Sequence, residues 1–166
     1  MLEFESARIE GFATHINYVG DRALNPVPVF EEIVDKILVR ERRMFETRGA
    51  SSGVYWSPLA PSTIARKQGT TFHHKRGGSE AIPYPERPLW RYGNLMRSLS
   101  ERGAPHQILH VDRRGIEFGS SHEAAAKHAR GTEYMPARPP LIIPKKHAHE
   151  YIGMLNKFIF GETNER

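Results

Sequence analysis

The sequence predicts an α+β fold, in which an antiparallel β-sheet packs against a long amphipathic helix and a C-terminal helix. Three observations predict it. Apolar residues recur at a helical period over residues 28–47 and again over 144–160, and they alternate at a strand period over 106–119. With 166 residues and a hydrophobic fraction of 39%, the chain is expected to form a single domain, residues 1–166, with a real core.

The N-terminal stretch LEFESARIEGFATHINY shows short apolar and polar alternations, Leu2 with Phe4 and Ile16 with Tyr18, on either side of Gly11. These alternations predict one or two strands of the sheet. The first ten residues are acidic, whereas a signal peptide opens with a basic region followed by an apolar run. No apolar run approaches the roughly 20 residues that cross a bilayer. We therefore expect neither export nor a membrane partner.

The helix predicted over 28–47 is the strongest element of the pattern. Pro28 suits its first turn, where a missing N–H costs no hydrogen bond, and Gly49 can end it. The stretch WSPLAPSTIARK follows, in which Pro58 and Pro61 favour a stiff extended segment. Ser62 is predicted to cap a short helix after it.

Residues 68–88 hold two adjacent glycines and three prolines without a sustained period, which predicts a long surface loop or arm. Beyond it, LWRYGNLMRSLSERG predicts a short helix, HQILHVD and GIEFGS a hairpin, and HEAAAKHA another helix. Residues 134–143 are predicted to be extended and to add a strand to the sheet. A terminal helix is predicted from Pro144 to Phe160.

The basic charge of the chain is local. The net charge is +5, and residues 66–102 alone hold eight lysines and arginines against three glutamates. Solvated loop charge explains such a cluster, and so does contact with nucleic acid or with an acidic protein surface. Phe72, Tyr84, Trp90 and Tyr92 interleave with the basic residues, as base stacking requires, although packing explains the aromatics equally well.

Nine histidines raise the question of a metal site. His122 and His128 are six residues apart, and Ala126 stands where the second histidine of an HExxH motif would lie. His147 and His149 have an i,i+2 spacing, which does not converge on a helix. Surface histidines without metal are therefore expected.

Catalytic signatures are also missing from the sequence. It contains no cysteine, no GxSxG nucleophile motif, and no GxxxxGK[ST] or GxGxxG phosphate loop. We expect no enzyme activity and no cofactor.

Three stretches taken together resemble the phage virion morphogenesis family, also described as phage tail completion proteins. They are WSPLAPSTIARK, LWRYGNLMRSL, and the run from IEFGSS through AAKHARGT to MPARPP, and they span about residues 28–143 together with the preceding helix. The last run is similar to the family's Gly-Ser, Ala-x-x-His-x-x-Gly-Thr and Pro-Ala-Arg-Pro sequence. Two positions depart from the family pattern, Arg130 before Gly131 and Pro140 after Pro-Ala-Arg-Pro.

The resemblance implies a structural virion protein at the head-proximal end of the tail, acting as tail completion, tail terminator or head–tail joining protein. It implies a homo-oligomeric ring, for which a hexamer is one candidate, beside the head–tail connector and tail tube proteins and near the channel DNA. Its place would be the tail or neck of the virion, and the host cytoplasm during assembly. The alternative is a basic nucleic-acid-binding module, whose binding should weaken steeply with salt.

The candidate interface with other subunits or partners combines basic, aromatic and apolar side chains: Trp56, Leu59, Arg66, Lys67, Lys75, Arg76, Tyr84, Arg87, Trp90 and Arg138. Arg138 is predicted to bridge to a carboxylate of the same or an adjacent subunit, or else to remain solvated. His128 is predicted to pack or to hydrogen-bond rather than to bind a ligand.

Overall fold

The computed structural model describes residues 14–69, 71–73 and 79–161, with the side chains of 71–73 and 79–80 left out. Within these residues, helices and antiparallel strand pairs confirm the α+β class. The helices are α1, which covers residues 14–24, α2 Val27–Glu46, α3 Pro61–Gln68, α4 Asn94–Ser100, α5 Glu123–Arg130 and α6 Lys145–Phe160. The strands are β1 Thr71–His73, β2 Ser79–Ala81, β3 Gln107–Asp112 and β4 Gly115–Ser120.

The contacts divide the chain into two compact units. Among the described residues, one contains 14–35, 110–116 and 145–161, and the other contains 36–69, 71–73, 79–109 and 117–144. We call them the terminal unit and the central unit. The expectation of one domain stays a prediction.

The core of the central unit explains why its helices form where the period predicts. Met44 and Phe45 at the end of α2 pack in one buried cluster with Trp56, Leu95 and Leu99. Gly49 then turns the chain back with a positive φ of 88°, and a Cβ there would overlap the Val54 carbonyl oxygen. Only glycine fits this turn, which brings the Trp56 backbone N–H to the carbonyl of Arg48 at 3.0 Å.

In the terminal unit, residues 14–24 are helical, so the strand predicted from Ile16 and Tyr18 is wrong. Tyr18 and Arg22 lie one turn apart on α1, and the Arg22 guanidinium sits 4.6 Å from the centres of both the Tyr18 and Phe158 rings. The turn of α1 places Tyr18 and Arg22 on one side of the helix, where Arg22 also meets Phe158 of α6. This tertiary contact outweighs the short alternation of apolar and polar residues that predicts a strand. The predicted strand at Leu2 and Phe4 lies outside the described residues.

The predicted single sheet is also wrong within the described residues. The strands form two separate pairs, β1 with β2 and β3 with β4. The first pair falls inside the predicted arm, 68–88, and its register sets Phe72 opposite Glu80. The extended run 134–143 joins neither pair, because Pro136, Pro139 and Pro140 have no N–H to donate to a strand ladder.

Two smaller predictions met different outcomes. The α3 helix begins at Pro61 after Ala60, without a side-chain cap, so the cap predicted at Ser62 is wrong. The terminal helix was predicted to run from Pro144 to Phe160 and runs from Lys145 to Phe160. No helix of the described residues is both long enough and apolar enough to cross a membrane.

Candidate functional site

Trp56 is a structural anchor of the central unit. Its side chain is 4% exposed, and its ring meets that of Phe45 edge to face with 5.2 Å between centroids. The indole Nε1 donates a hydrogen bond to the Pro139 carbonyl at 3.1 Å. Trp56 therefore holds the stiff WSPLAP segment against the proline-rich 135–140 segment from the inside, rather than presenting a ring to a partner.

Arg138 joins the same two segments. Its side chain is 3% exposed, its Nε donates to the Ser57 carbonyl at 2.7 Å, and its Nη2 donates to the Pro58 carbonyl at 2.8 Å. The Arg138 backbone N–H donates to the His128 carbonyl at 2.7 Å, which ties α5 into the junction. Burial lowers the pKa of Arg138 from its ordinary value. Within the described residues Arg138 thus binds backbone carbonyls, and the carboxylate bridge predicted for it inside the chain is wrong.

Lys67 fastens the end of α3 to the segment before α4. Its Nζ donates to the Arg87 carbonyl at 2.8 Å and to the Trp90 carbonyl. Burial is the main cause that lowers the pKa of Lys67, and repulsion by Arg91 and Arg138 adds to it, while attraction by Glu86 opposes it. The ammonium group is therefore held in place by carbonyl dipoles in a region of positive potential.

A pair of serines connects α4 to the start of α5. Ser98 Oγ donates to the Leu95 carbonyl at 2.8 Å and lies 2.7 Å from Ser120 Oγ. Ser120 Oγ also accepts from the His122 backbone N–H at 3.1 Å, and His122 Nδ1 in turn accepts from the Ala124 N–H at 3.2 Å. The serines and His122 thus fix where α5 begins relative to α4.

These segments enclose a cavity of about 760 Å³ in the central unit. We call it the basic cavity. Its lining is predominantly cationic, aromatic and apolar: Pro58, Leu59, Ala60, Thr63, Arg66, Lys67, Leu89, Trp90, Arg91, Tyr92, Gly93, Asn94, Leu95, His122, Glu123, Ala124, His128, Tyr134, Met135, Pro136 and Arg138. The lining contains three arginines and one lysine but a single carboxylate, that of Glu123.

His128 lies in this positive field. Its pKa is lowered, first by burial and then by repulsion from Arg138, His122 and Lys67. Its Nδ1 is buried and has no hydrogen-bond partner among the described residues, and the same holds for Trp90 Nε1. Two residues of the lining thus each have a buried polar ring atom whose bonding capacity the described part of the chain leaves unused.

The residues predicted for an interface fall into four groups. Leu59, Arg66, Lys67, Trp90 and Arg138 line the basic cavity. Arg87 lies 4.3 Å from the centre of the Tyr84 ring, which meets the Trp90 ring edge to face with 5.8 Å between centroids. Trp56 is in the core, and Lys75 and Arg76 lie outside the described residues.

Sequence reasoning missed the other half of the cavity. His122, His128 and Tyr134 come from a region whose charges balance, so a count of charges by segment gives no signal there. Tyr134 is 91% exposed at the cavity. A signal did exist, because the third stretch of the resemblance contains both His128 and Arg138, but only Arg138 was predicted to lie at an interface.

The histidines do not gather for metal binding in the part of the chain that the structure describes. No group of three or more His, Cys, Asp or Glu side chains there could hold a metal ion. His147 Nδ1 lies 3.2 Å from Glu150 Oε2 one turn further along α6, as an ordinary helical pair.

Comparison of the chain with models of protein families, with curated proteins and with solved structures found no match.

Proposed function

We propose that this protein is a structural component of a tailed phage virion, that it acts at the head-proximal end of the tail, and that it assembles as a homo-oligomeric ring. The role would be tail completion, tail termination or head–tail joining, without catalysis. The proposal rests on the resemblance of three stretches of the sequence to the phage virion morphogenesis family.

One observation carries the proposal further. The three stretches are far apart in the sequence, yet they hydrogen-bond to one another in the central unit. Trp56 binds the Pro139 carbonyl, Arg138 binds the Ser57 and Pro58 carbonyls, and Ser98 contacts Ser120. The motif residues thus form one framework, as expected of a family signature that specifies a shared fold, and a chance likeness of three short stretches would not require such contacts.

Surface composition supports assembly. Every residue of α6 is at least partly exposed, and Ile152 and Phe160 are each 55% exposed. Both side chains are exposed, and a neighbouring subunit that covered them would bury apolar surface. A ring subunit needs such surfaces, because every copy contacts two neighbours.

The experiment is removal of the gene from the phage that encodes the protein. We expect filled heads and separate tails, or tails with an aberrant head-proximal end, and restoration of infectious particles when the gene is supplied in trans. Antibody labelling of intact particles should mark the neck. Normal infectious particles without the gene, or a protein absent from purified particles, would overturn the proposal.

A nucleic-acid-binding module is the second candidate, because the basic cavity combines cations with Trp90, Tyr92 and Tyr134. Light scattering of the purified protein with and without nuclease separates the two. A defined oligomer that resists nuclease supports the structural role. A monomer that is retained on DNA at moderate salt supports the second candidate.

A further inference from the structure

We propose that the basic cavity is a docking site for an acidic segment of another virion protein, one that presents a carboxylate next to an apolar side chain. The identity of the partner as a virion protein rests on the proposed function. The chemistry of the site does not, since it follows from the cavity itself.

The first argument is electrostatic. Lys67 is repelled by Arg91 and Arg138 and attracted by Glu86, burial and the same positive field lower the pKa of His128, and Lys67 and Arg138 are partly removed from water. Glu123 is the one carboxylate in the lining. Placing like charges together away from solvent destabilises a folded chain, and an anion bound among them relieves that repulsion.

The second argument concerns the positions of the cations. Lys67 uses its ammonium to hold the Arg87 and Trp90 carbonyls, and Arg138 uses its guanidinium to hold those of Ser57 and Pro58. Both cations are therefore fixed before any ligand arrives. A preorganised charge loses little side-chain entropy on binding, which favours affinity for a single, well-placed anionic group.

The third argument selects a protein segment over nucleic acid. Leu59 and Met135 offer partly exposed apolar surface at the cavity alongside Trp90, and the buried Leu89 and Leu95 also line it. A duplex cannot enter a cavity of about 760 Å³. A single strand would stack its bases on the aromatic rings, but it has no aliphatic group to place against the leucines and Met135. A peptide side chain can enter, and its apolar neighbour can cover the wall while the carboxylate meets the accessible cations Arg66, Lys67 and Arg91.

The two tryptophans provide the measurement. Trp90 lines the cavity and its Nε1 has no acceptor among the described residues, whereas Trp56 is not in the lining and donates to Pro139. The full chain, labelled with ¹⁵N, is titrated with the peptide acetyl-Glu-Leu-Glu-Phe-amide while both indole N–H signals are followed. We expect a saturable shift of the Trp90 signal with a Kd of about 1 mM or tighter, and an unchanged Trp56 signal.

Matched variants test where the peptide binds. R66E/R91E reverses two charges of the lining, and R113E/R114E makes the same change in net charge at the exposed β3–β4 turn. The first should weaken peptide binding by about tenfold or more, and the second by less than about threefold, because only the first reverses charges that line the cavity. Equal weakening by the two variants would overturn the site.

Two further probes decide the chemistry. The peptide acetyl-Gln-Leu-Gln-Phe-amide keeps the apolar groups without the carboxylates, and equal binding of it would overturn recognition of an anion. Duplex DNA that shifts the Trp90 signal where the acidic peptide does not would make the cavity a nucleic-acid site instead. A Trp90 signal that responds to neither probe would also overturn the proposal.

These outcomes are separable from failure of the proposed function, since the titration uses the isolated protein and the particle experiment does not involve the peptide. Peptide binding by a protein absent from virions would support the carboxylate site and overturn its virion partner. A protein present at the neck whose cavity ignores the peptide would support the function and overturn the site.

Discussion

The framework of the central unit and helix α6 of the terminal unit differ in how they use apolar residues. In the framework, Trp56 and Leu99 are almost completely buried, and side chains such as Arg138 hydrogen-bond to backbone carbonyls about 80 residues away in the sequence. In α6, no residue is buried, although the helix carries seven large apolar or aromatic side chains over sixteen residues.

This difference separates two roles for similar residue types. Buried apolar and polar groups in the framework fix a backbone, so their truncation should lower the free energy of unfolding by several kcal/mol. Half-exposed apolar groups on α6 contribute less to the fold of the single chain and remain available for contacts outside it. Each variant below tests whether buried framework side chains contribute more to the free energy of unfolding than exposed side chains do.

The largest effect is expected for Leu99→Ala. Leu99 is 1% exposed within the core cluster, so truncation leaves a cavity and should cost about 3 kcal/mol of unfolding free energy. Leu24→Ala removes the same atoms from a side chain that is 73% exposed, and it should cost less than about 0.5 kcal/mol. Denaturant unfolding measures both. Similar costs for the two would break the contrast.

The next effect depends on pH and concerns Glu41. This residue is fully buried on α2, and its Oε1 lies 3.0 Å from Nη2 of the neighbouring Arg40. Burial raises the pKa of Glu41 from 4.5 to about 7, against the opposing influence of Arg40. Because the folded state then binds the proton more tightly, the contribution of Glu41 to stability is complete below pH 4.5. It is lost as pH rises through about 7.

The variant Glu41→Gln removes this titration. We expect the unfolding free energy of the native protein, relative to the variant, to fall by about 3 kcal/mol between about pH 4.5 and pH 8. Glu46→Gln removes a glutamate from an exposed position on the same helix and serves as the control. Parallel pH profiles for the native protein and Glu41→Gln would contradict the expectation.

The third effect is expected for Arg138→Lys, which keeps the charge but replaces the planar group that binds two carbonyls at once. An ammonium cannot reproduce both hydrogen bonds, and we expect a loss of about 2 kcal/mol of unfolding free energy. Arg113→Lys, at the exposed β3–β4 turn, should change it by less than about 0.5 kcal/mol. A tolerated Arg138→Lys would show that charge, rather than the two bonds, is what the framework needs.

The secondary structure of the framework followed from the sequence better than its tertiary contacts did. A sustained apolar period predicted the helix at 28–47, which is observed as Val27–Glu46. The prediction succeeded because the apolar residues of a helix's buried face recur at that period. Pro58 and Pro61 correctly indicated an extended approach to α3. The basic cavity could not be predicted in full, because its walls come from residues 58–67, 89–95, 122–128 and 134–138, and no local pattern joins them.

Short patterns failed where a tertiary contact decided the outcome. The alternation of Ile16 and Tyr18 spans three residues, too few to separate a strand from a helix, and the contact of Arg22 with Phe158 lies 136 residues away in sequence. The proline-rich run 134–143 was predicted to add a strand to the sheet, and it joins neither strand pair. Instead of joining a strand ladder, the run binds the core through Pro139, whose carbonyl accepts a hydrogen bond from the Trp56 indole N–H.

The smallest effects are expected on α6, where two aromatic or apolar residues can be compared on one helix. Ile152 is 55% exposed, so Ile152→Ala should change the unfolding free energy by less than about 0.5 kcal/mol. Phe158 is half-buried and its ring meets the Arg22 guanidinium at 4.6 Å, so Phe158→Leu should cost about 1 kcal/mol through loss of that contact.

Double-mutant analysis with Arg22→Met isolates the interaction, since the cost of Phe158→Leu should shrink once the cation is gone. If Ile152→Ala cost more than Phe158→Leu, the exposed face of α6 would contribute to the fold of the chain itself. The contrast with the framework would then disappear, because α6 would owe its stability to the same kind of burial. The expected order instead makes Phe158 an intrachain contact and leaves Ile152 as surface, which is the division of roles that an assembling subunit requires.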